Sequence, residues 1–214
     1  MPNWCTNELN ILGSEESVRR FIEQAERQHK YLERSESGEI VEGYAVGLLW
    51  NFVTPPEEIQ NEKDYFSEAR MTGFSKLPEN NWYEWNYAHW GTKWDVTKSG
   101  EWDDFTLSDG FLAYGEGLAS CFVEFDTAWS PPLPVVQAMA EQYPDLTIVM
   151  YYYEMGANFQ GKVSYENGIL VEQFDGECDH DWYLNKYDEC LNQWLDDEVC
   201  EKCKADFVKE KSNG

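Results

Sequence analysis

Hydrophobic and polar positions alternate most cleanly over residues 118–127, LASCFVEFDT. Ala119, Cys121, Val123 and Phe125 share one side of a predicted strand, and Ser120, Glu124 and Asp126 share the other, with Phe122 as the exception. A second clear pattern has helical spacing. Val18, Phe21, Ile22 and Ala25 fall on one stripe of a helix that Ser14 caps, that carries Glu15 and Glu16 in its first turn, and that runs to about Gln28. Ahead of it, NELNIL at 7–12 reads as a strand closed by Gly13. Residues 40–53, IVEGYAVGLLWNFV, are β-branched and aromatic enough for one strand, bulged at Gly43 or Gly47 and ended by Pro55–Pro56.

Residues 57–90 read as a helical insertion, with a short helix opened by Pro78 and Glu79, carrying Trp82 and Trp85, and stopped by Gly91. From 93 to 97 the chain is expected to be extended, and the acidic, glycine-containing stretch 101–117 reads as a loop or irregular hairpin. The prolines of SPPLP at 130–134 start a helix on which Leu133, Val136, Met139, Ala140 and Tyr143 keep helical spacing as far as Pro144. LTIVMYYYE at 146–154 is a strand, and KVSYENGILVEQF at 162–174 is a hairpin turning at Asn167–Gly168. Two strand–helix–strand halves with antiparallel hairpins predict an α+β fold of the ferredoxin-like kind, with helices on one face of the sheet. That domain spans residues 1–175 and holds the insertion at about 57–92. Residues 176–214 form an acidic helical extension, in which Tyr183, Tyr187, Leu191, Trp194, Leu195 and Val199 mark an amphipathic helix.

Four stretches, MPNWCTNEL (1–9), WGTKWD (90–95), FDTAWSPP (125–132) and YYYEMGANFQG (151–161), resemble the YubB-like ferredoxin-fold proteins of conjugative plasmids and bacteriophages. The resemblance runs in order from residue 1 to about residue 170. It implies a ferredoxin-like domain on a mobile genetic element, and it supplies no catalytic residues.

Charge changes the picture most. The chain of 214 residues has 41 acids against 16 Lys and Arg, a net charge of −25. Residues 101–185 contain 16 acids and one base, Lys162. A field of that sign repels phosphate backbones, so direct nucleic-acid binding is not expected. The acids either keep the protein soluble or form a face that occupies a basic groove on another protein. Candidates for that face are Glu101, Asp103, Asp104, Asp109, Glu116, Glu124 and Asp126, continued by Asp175, Glu177, Asp179 and Asp181. The expected partner is a basic nucleic-acid-binding host protein.

The ten tryptophans raise a second reading. Trp82, Trp85, Trp90, Trp94 and Trp129 either pack the insertion against the sheet or line a surface for a nucleotide-like small ligand. The three histidines, His29, His89 and His180, lie in no nucleophile motif, and phosphate-loop and dinucleotide-binding patterns are absent. Glu124 with Asp126, and Glu154, offer carboxylates for acid–base work, but with 41 acids such pairs arise by chance.

Cys178, His180, Cys190, Cys200 and Cys203 hold enough donors for a tetrahedral zinc, although the spacing is irregular and the last two fall on a predicted helix. Residues 103–110, DDFTLSDG, lack the spacing of a calcium loop. No cofactor is expected. No apolar run reaches the roughly 18 residues of a membrane helix and the N-terminus lacks a secretory pattern, so a cytoplasmic protein with reduced thiols is expected.

Overall fold

Residues Trp4–Ser14 form β1, which pairs antiparallel along its whole length with β6 (Leu118–Ala128) and over Thr6–Leu12 with β7 (Thr147–Glu154). In the computed structural model, which describes residues 3–34, 40–60, 81–98, 104–108 and 117–178, these three strands are the middle of a six-stranded antiparallel sheet. Its order is β5 (Phe105–Ser108), β6, β1, β7, β8 (Phe159–Glu166), β9 (Ile169–Gly176). Period-two alternation sends Cys5, Asn7, Leu9 and Ile11 of β1 into the core, with Ala119, Cys121, Val123 and Phe125 of β6 and Ile148, Met150 and Tyr152 of β7. Helices α1 (Glu15–Ala25) and α5 (Leu133–Gln142) cover that face. The run β1–α1–β5–β6–α5–β7, with strand order β5–β6–β1–β7, is the ferredoxin-like βαββαβ arrangement, extended at one edge by the β8–β9 hairpin. That hairpin turns where the sequence predicts, with Asn167 and Gly168 both at positive φ (52° and 73°), as a two-residue primed turn requires.

The insertion between α1 and β5 differs from the sequence expectation. Helix α1 stops at Ala25, and a strand follows: β2 (Gln28–Arg34) pairs with β3 (Ile40–Gly47), which pairs with the two-residue β4 (Thr97–Lys98) in a separate three-stranded sheet. The expected single strand 40–53 ends at Gly47, and Leu48–Phe52 form α2. Asp95 is the reason. Its Oδ1 accepts the N–H of Leu49 at 2.8 Å and of Val96 at 2.8 Å, and its Oδ2 accepts that of Trp50 at 3.3 Å, which satisfies N–H groups a sheet would otherwise have paired. Residues 93 and 94 are accordingly bends, 95 and 96 are irregular, and only Thr97–Lys98 form a strand. Two further helices are described, α3 (Glu57–Gln60) and α4 (Trp82–His89). Asn81 caps α4, its side chain accepting the Glu84 N–H, whereas the expected start at Pro78 lies outside the described residues, as does the predicted C-terminal helix.

Helix α2 is wedged between α1 and α5. Phe52 stacks on Phe21 at 4.9 Å between ring centroids and meets Tyr143 edge-on at 6.4 Å. Three amides close the helix ends there. Asn51 donates to the Ala25 and Arg27 carbonyls, and Gln24 and Gln142 donate to the carbonyls of Asn51 and Phe52. Leu48, Leu49, Phe52, Trp90 and Val96 therefore belong to the same core as the sheet.

Withdrawal from water pushes the half-buried Asp95 carboxyl up to about 7, against the three N–H bonds that pull it down. The folded chain thus holds a proton there that the unfolded chain releases above about pH 4. This contribution to stability is complete at low pH and is lost as pH rises through about 7. The full shift corresponds to about 4 kcal/mol, and partial contact with water reduces it to about 2 kcal/mol. In urea unfolding followed from pH 5 to 8, Asp95→Asn is expected to flatten the decline in stability by about that amount, because its amide oxygen keeps the two short bonds and carries no charge. Parallel pH curves for the two proteins would show that Asp95 does not titrate in this range.

Candidate functional site

The sheet face away from α1 and α5 carries the alternate residues of each strand. The register sets out one row across it as Thr106, Glu124, Glu8, Tyr151, Lys162 and Phe174. The neighbouring row runs Asp126, Thr6, Tyr153, and on the other side lie Phe122, Asn10 and Val149. Glu124 and Glu8 thus stand directly opposite one another on adjacent strands. Asp126 is one pleat further along and is held by the Thr6 hydroxyl at 2.8 Å. Asp104, at the start of β5, accepts from Thr97 and joins Glu124 and Asp126 around a shallow depression with Phe105, Thr106 and Phe122. Lys162 on this face is bound to Glu172 at 2.6 Å, with its ammonium 5.6 Å from the Tyr151 ring.

The predicted acidic residues therefore divide. Asp104, Glu124 and Asp126 come together. Asp175 lies on the opposite side of the sheet, where its carboxylate takes the Tyr152 hydroxyl and raises that phenol's pKa, after the larger effect of burial. Glu177 is exposed just beyond β9. Glu101, Asp103, Asp109, Glu116, Asp179 and Asp181 lie outside the described residues. Glu8, which the sequence reading did not nominate, completes the cluster. The alternation of β1 carried that information, but only the pairing with β6 places it against Glu124.

The tryptophans also divide. Trp90 is fully buried, with its Nε1–H on the Val53 carbonyl at 2.8 Å, and Trp85 packs edge-on against it while stacking on His89. Trp82 lies edge-on to Tyr83. Trp90 and Trp85 thus pack the end of α4 on the core. Trp94 and Trp129 instead join Trp4, which sequence reasoning passed over, at the end of the open face where β1 begins and β6 ends. Trp94 lies between the other two, 6.3 Å from Trp4 and 5.9 Å from Trp129 by ring centroid. Trp4 and Trp129 are 51% and 39% exposed. The Lys93 ammonium sits 4.5 Å from the Trp94 ring and 5.2 Å from the Trp129 ring, with Tyr83 at 5.6 Å.

The four stretches that carry the sequence resemblance meet at this end. Trp129 has φ 66°, a left-handed backbone that bulky side chains rarely adopt. Neighbours hold it there: its N–H donates to the Asn3 carbonyl, Ser130 Oγ to Gly91, Thr92 Oγ1 to Ala128 and Thr127 Oγ1 to Ser130. Gly91 is itself at φ 78°, and a Cβ there would lie 2.8 Å from Pro134. Beneath the surface, Asn7 is fully buried. Its Nδ2 donates to the carbonyls of Cys5 and Phe125 and to Thr127 Oγ1 at 2.9–3.2 Å.

The remaining chemical candidates take structural roles. Glu154 is buried and accepts the N–H groups of Gly156 and Ala157, closing the β7–β8 turn. Burial pushes the Cys5 and Cys121 thiols up to about 12, where little reactive thiolate forms at neutral pH. His29 stacks on Trp50 at 4.5 Å, and burial lowers its pKa. Cys178 is buried with its sulfur on the Phe159 carbonyl, while His180 and the other proposed zinc ligands lie outside the described residues. Among the described residues no group of three or more His, Cys, Asp or Glu is arranged to hold a metal ion. No described helix is long and apolar enough to cross a membrane.

The fold and this face define a ferredoxin-like α+β domain with an acidic and aromatic open sheet surface. Residues 90–192, slightly under half of the chain, match the family described as "Ferredoxin-like domain in Api92-like protein", a match that runs past the boundary expected at 175. Among solved structures, the crystal structure of a protein api92 from Yersinia pseudotuberculosis is similar at TM-score 0.50 and 12% identity, over 84% of this chain and 99% of that one. At that identity the likeness is one of fold. No curated protein matches the chain.

Replacing Asn7 by Asp turns a buried donor into a charge facing three oxygens. It is expected to lower stability in urea unfolding by about 3 kcal/mol or more at neutral pH, with part of the loss recovered at low pH as the new carboxyl protonates.

Proposed function

We propose that this protein is a non-catalytic interaction protein whose open sheet face takes the place of nucleic acid in the binding groove of a basic host protein. The observation that carries the reading is the in-register opposition of Glu124 and Glu8, with Asp126 and Asp104 beside them, on the helix-free face of the sheet. Ferredoxin-like sheets that bind single-stranded RNA present aromatic rings for stacking, and phosphate binding needs Lys and Arg to displace counterions. Here the rings are present among carboxylates, and Lys162 is bound to Glu172. Like charges directly opposed across strands cost a fraction of a kcal/mol each. A cationic partner offsets that repulsion.

The setting is a phage or conjugative plasmid acting within a host cell, and it rests on the sequence resemblance alone. The alternative reading, a nucleotide-like ligand held by the tryptophans, now involves Trp4, Trp94 and Trp129 rather than a pocket of five indoles.

The test is affinity purification from host cells at low and high salt, followed by competition with DNA. A basic nucleic-acid-binding protein should be captured, released by salt and displaced by DNA. Neutralising the face with Glu8→Gln, Glu124→Gln and Asp126→Asn should weaken that complex at least tenfold and flatten its salt dependence. Salt-insensitive capture, or a triple variant that binds as well as the native chain, would sink the proposal.

A further inference from the structure

We infer that Trp4, Trp94 and Trp129 form a cation-binding aromatic site, held in the free protein by the chain's own Lys93 and exchanged for an arginine of the partner on binding. The inference rests on the acidic-face reading and names what that face grips. Ring faces carry negative quadrupole potential and attract cations placed over them, more so once water is excluded. The Lys93 ammonium lies over two of these indoles, at 4.5 and 5.2 Å.

Charge complementarity extends the attraction beyond the rings. Trp4 and Thr6 project from the same face of β1, so the aromatic end is continuous with Asp126, which Thr6 holds, and then with Glu8 and Glu124. A guanidinium fits this surroundings better than an ammonium, because it stacks flat on an indole while its N–H fork reaches a carboxylate. The exposure of Trp4 and Trp129, and the left-handed backbone at Trp129, are costs in the free chain. Tryptophan is among the residues that dominate binding energy when an interface closes over them.

The Lys93 ammonium also fixes the sign of the test. If a partner's arginine replaces it, removing Lys93 takes away a competitor and a like charge. If the site binds an anionic, planar ligand such as a nucleotide, removing Lys93 takes away a contact. The full chain is titrated at low salt with a peptide of alternating arginine and glycine, with its lysine counterpart, and with a nucleoside monophosphate, reading tryptophan fluorescence and heat.

The arginine peptide is expected to bind several-fold tighter than the lysine peptide. Lys93→Met should tighten it by about threefold or more, and Trp94→Ala with Trp129→Gly should weaken it by about tenfold. Glycine at 129 keeps the left-handed backbone without strain, and far-UV circular dichroism checks that the fold is retained.

Weaker arginine-peptide binding by Lys93→Met, nucleotide binding that is lost with Lys93, or no arginine-peptide binding at low salt would each overturn the inference. If the acidic triple variant abolishes peptide binding while the tryptophan variant leaves it unchanged, the acidic face stands and this site falls. If only the tryptophan variant weakens it, the aromatic site stands and the acidic face falls.

Discussion

Asn7 fixes the register of the central strand, and the two faces of the molecule follow from it. Its side-chain amide is buried between β1 and β6, where it donates to two backbone carbonyls and to Thr127. A one-residue slip of β1 would turn this amide out to water and drive Glu8 into the apolar layer with Leu9's neighbours. Both changes are expensive: one strands three buried acceptors and the other buries a charge. The opposition of Glu8 and Glu124, and the placing of Trp4 beside Ala128, are therefore consequences of a core hydrogen bond and not of surface chemistry.

The insertion obeys a similar logic. Asp95 is distant in sequence from Leu49 and Trp50, yet its carboxylate decides that residues 48–52 coil into α2 instead of extending β3. Once coiled, α2 delivers Phe52 to Phe21 and Tyr143, and the amides of Gln24, Asn51 and Gln142 stitch it to the helices on either side. The same bend carries Lys93 and Trp94 to the sheet's end. The stretch between α1 and β5 thus builds part of the domain's core and part of its candidate surface.

What could be read from the sequence was whatever a local period specifies. The alternation in β6, the stripe on α5 and the Asn167–Gly168 turn needed no distant partner, and each stands where expected. The sequence QHKYLER of β2 has no such period, since its pairing with β3 alone makes it a strand. Residues 101–117 read as a loop or irregular hairpin because the four residues 105–108 are too few to show alternation, and β6 supplies the other half of their ladder. The candidate site failed to show for the same reason. Trp4, Lys93 and Trp129 are separated along the chain by the whole insertion or by β6, and only tertiary contact makes them neighbours. The expected acidic face was legible as composition, but composition cannot say that Asp175 lies on the same side of the sheet as Tyr152 while Glu124 lies on the other.

An open sheet face is normally a hydrophobic liability or a wet polar surface. This one combines rings and carboxylates, and the two groups constrain each other. Carboxylates alone would bind any polycation weakly and lose it to salt, since exposed charges are screened within about 10 Å at ordinary ionic strength. Indoles alone would leave an apolar patch open to self-association, which the net charge of −25 opposes at long range. Together they give a surface on which charge draws the partner in and ring contact, insensitive to salt at close range, holds it. Lys93 then has a place in the free protein. An ammonium over Trp94 and Trp129 covers ring faces that would otherwise meet water, and each such cation–π contact at an exposed site is worth about 0.5–1 kcal/mol.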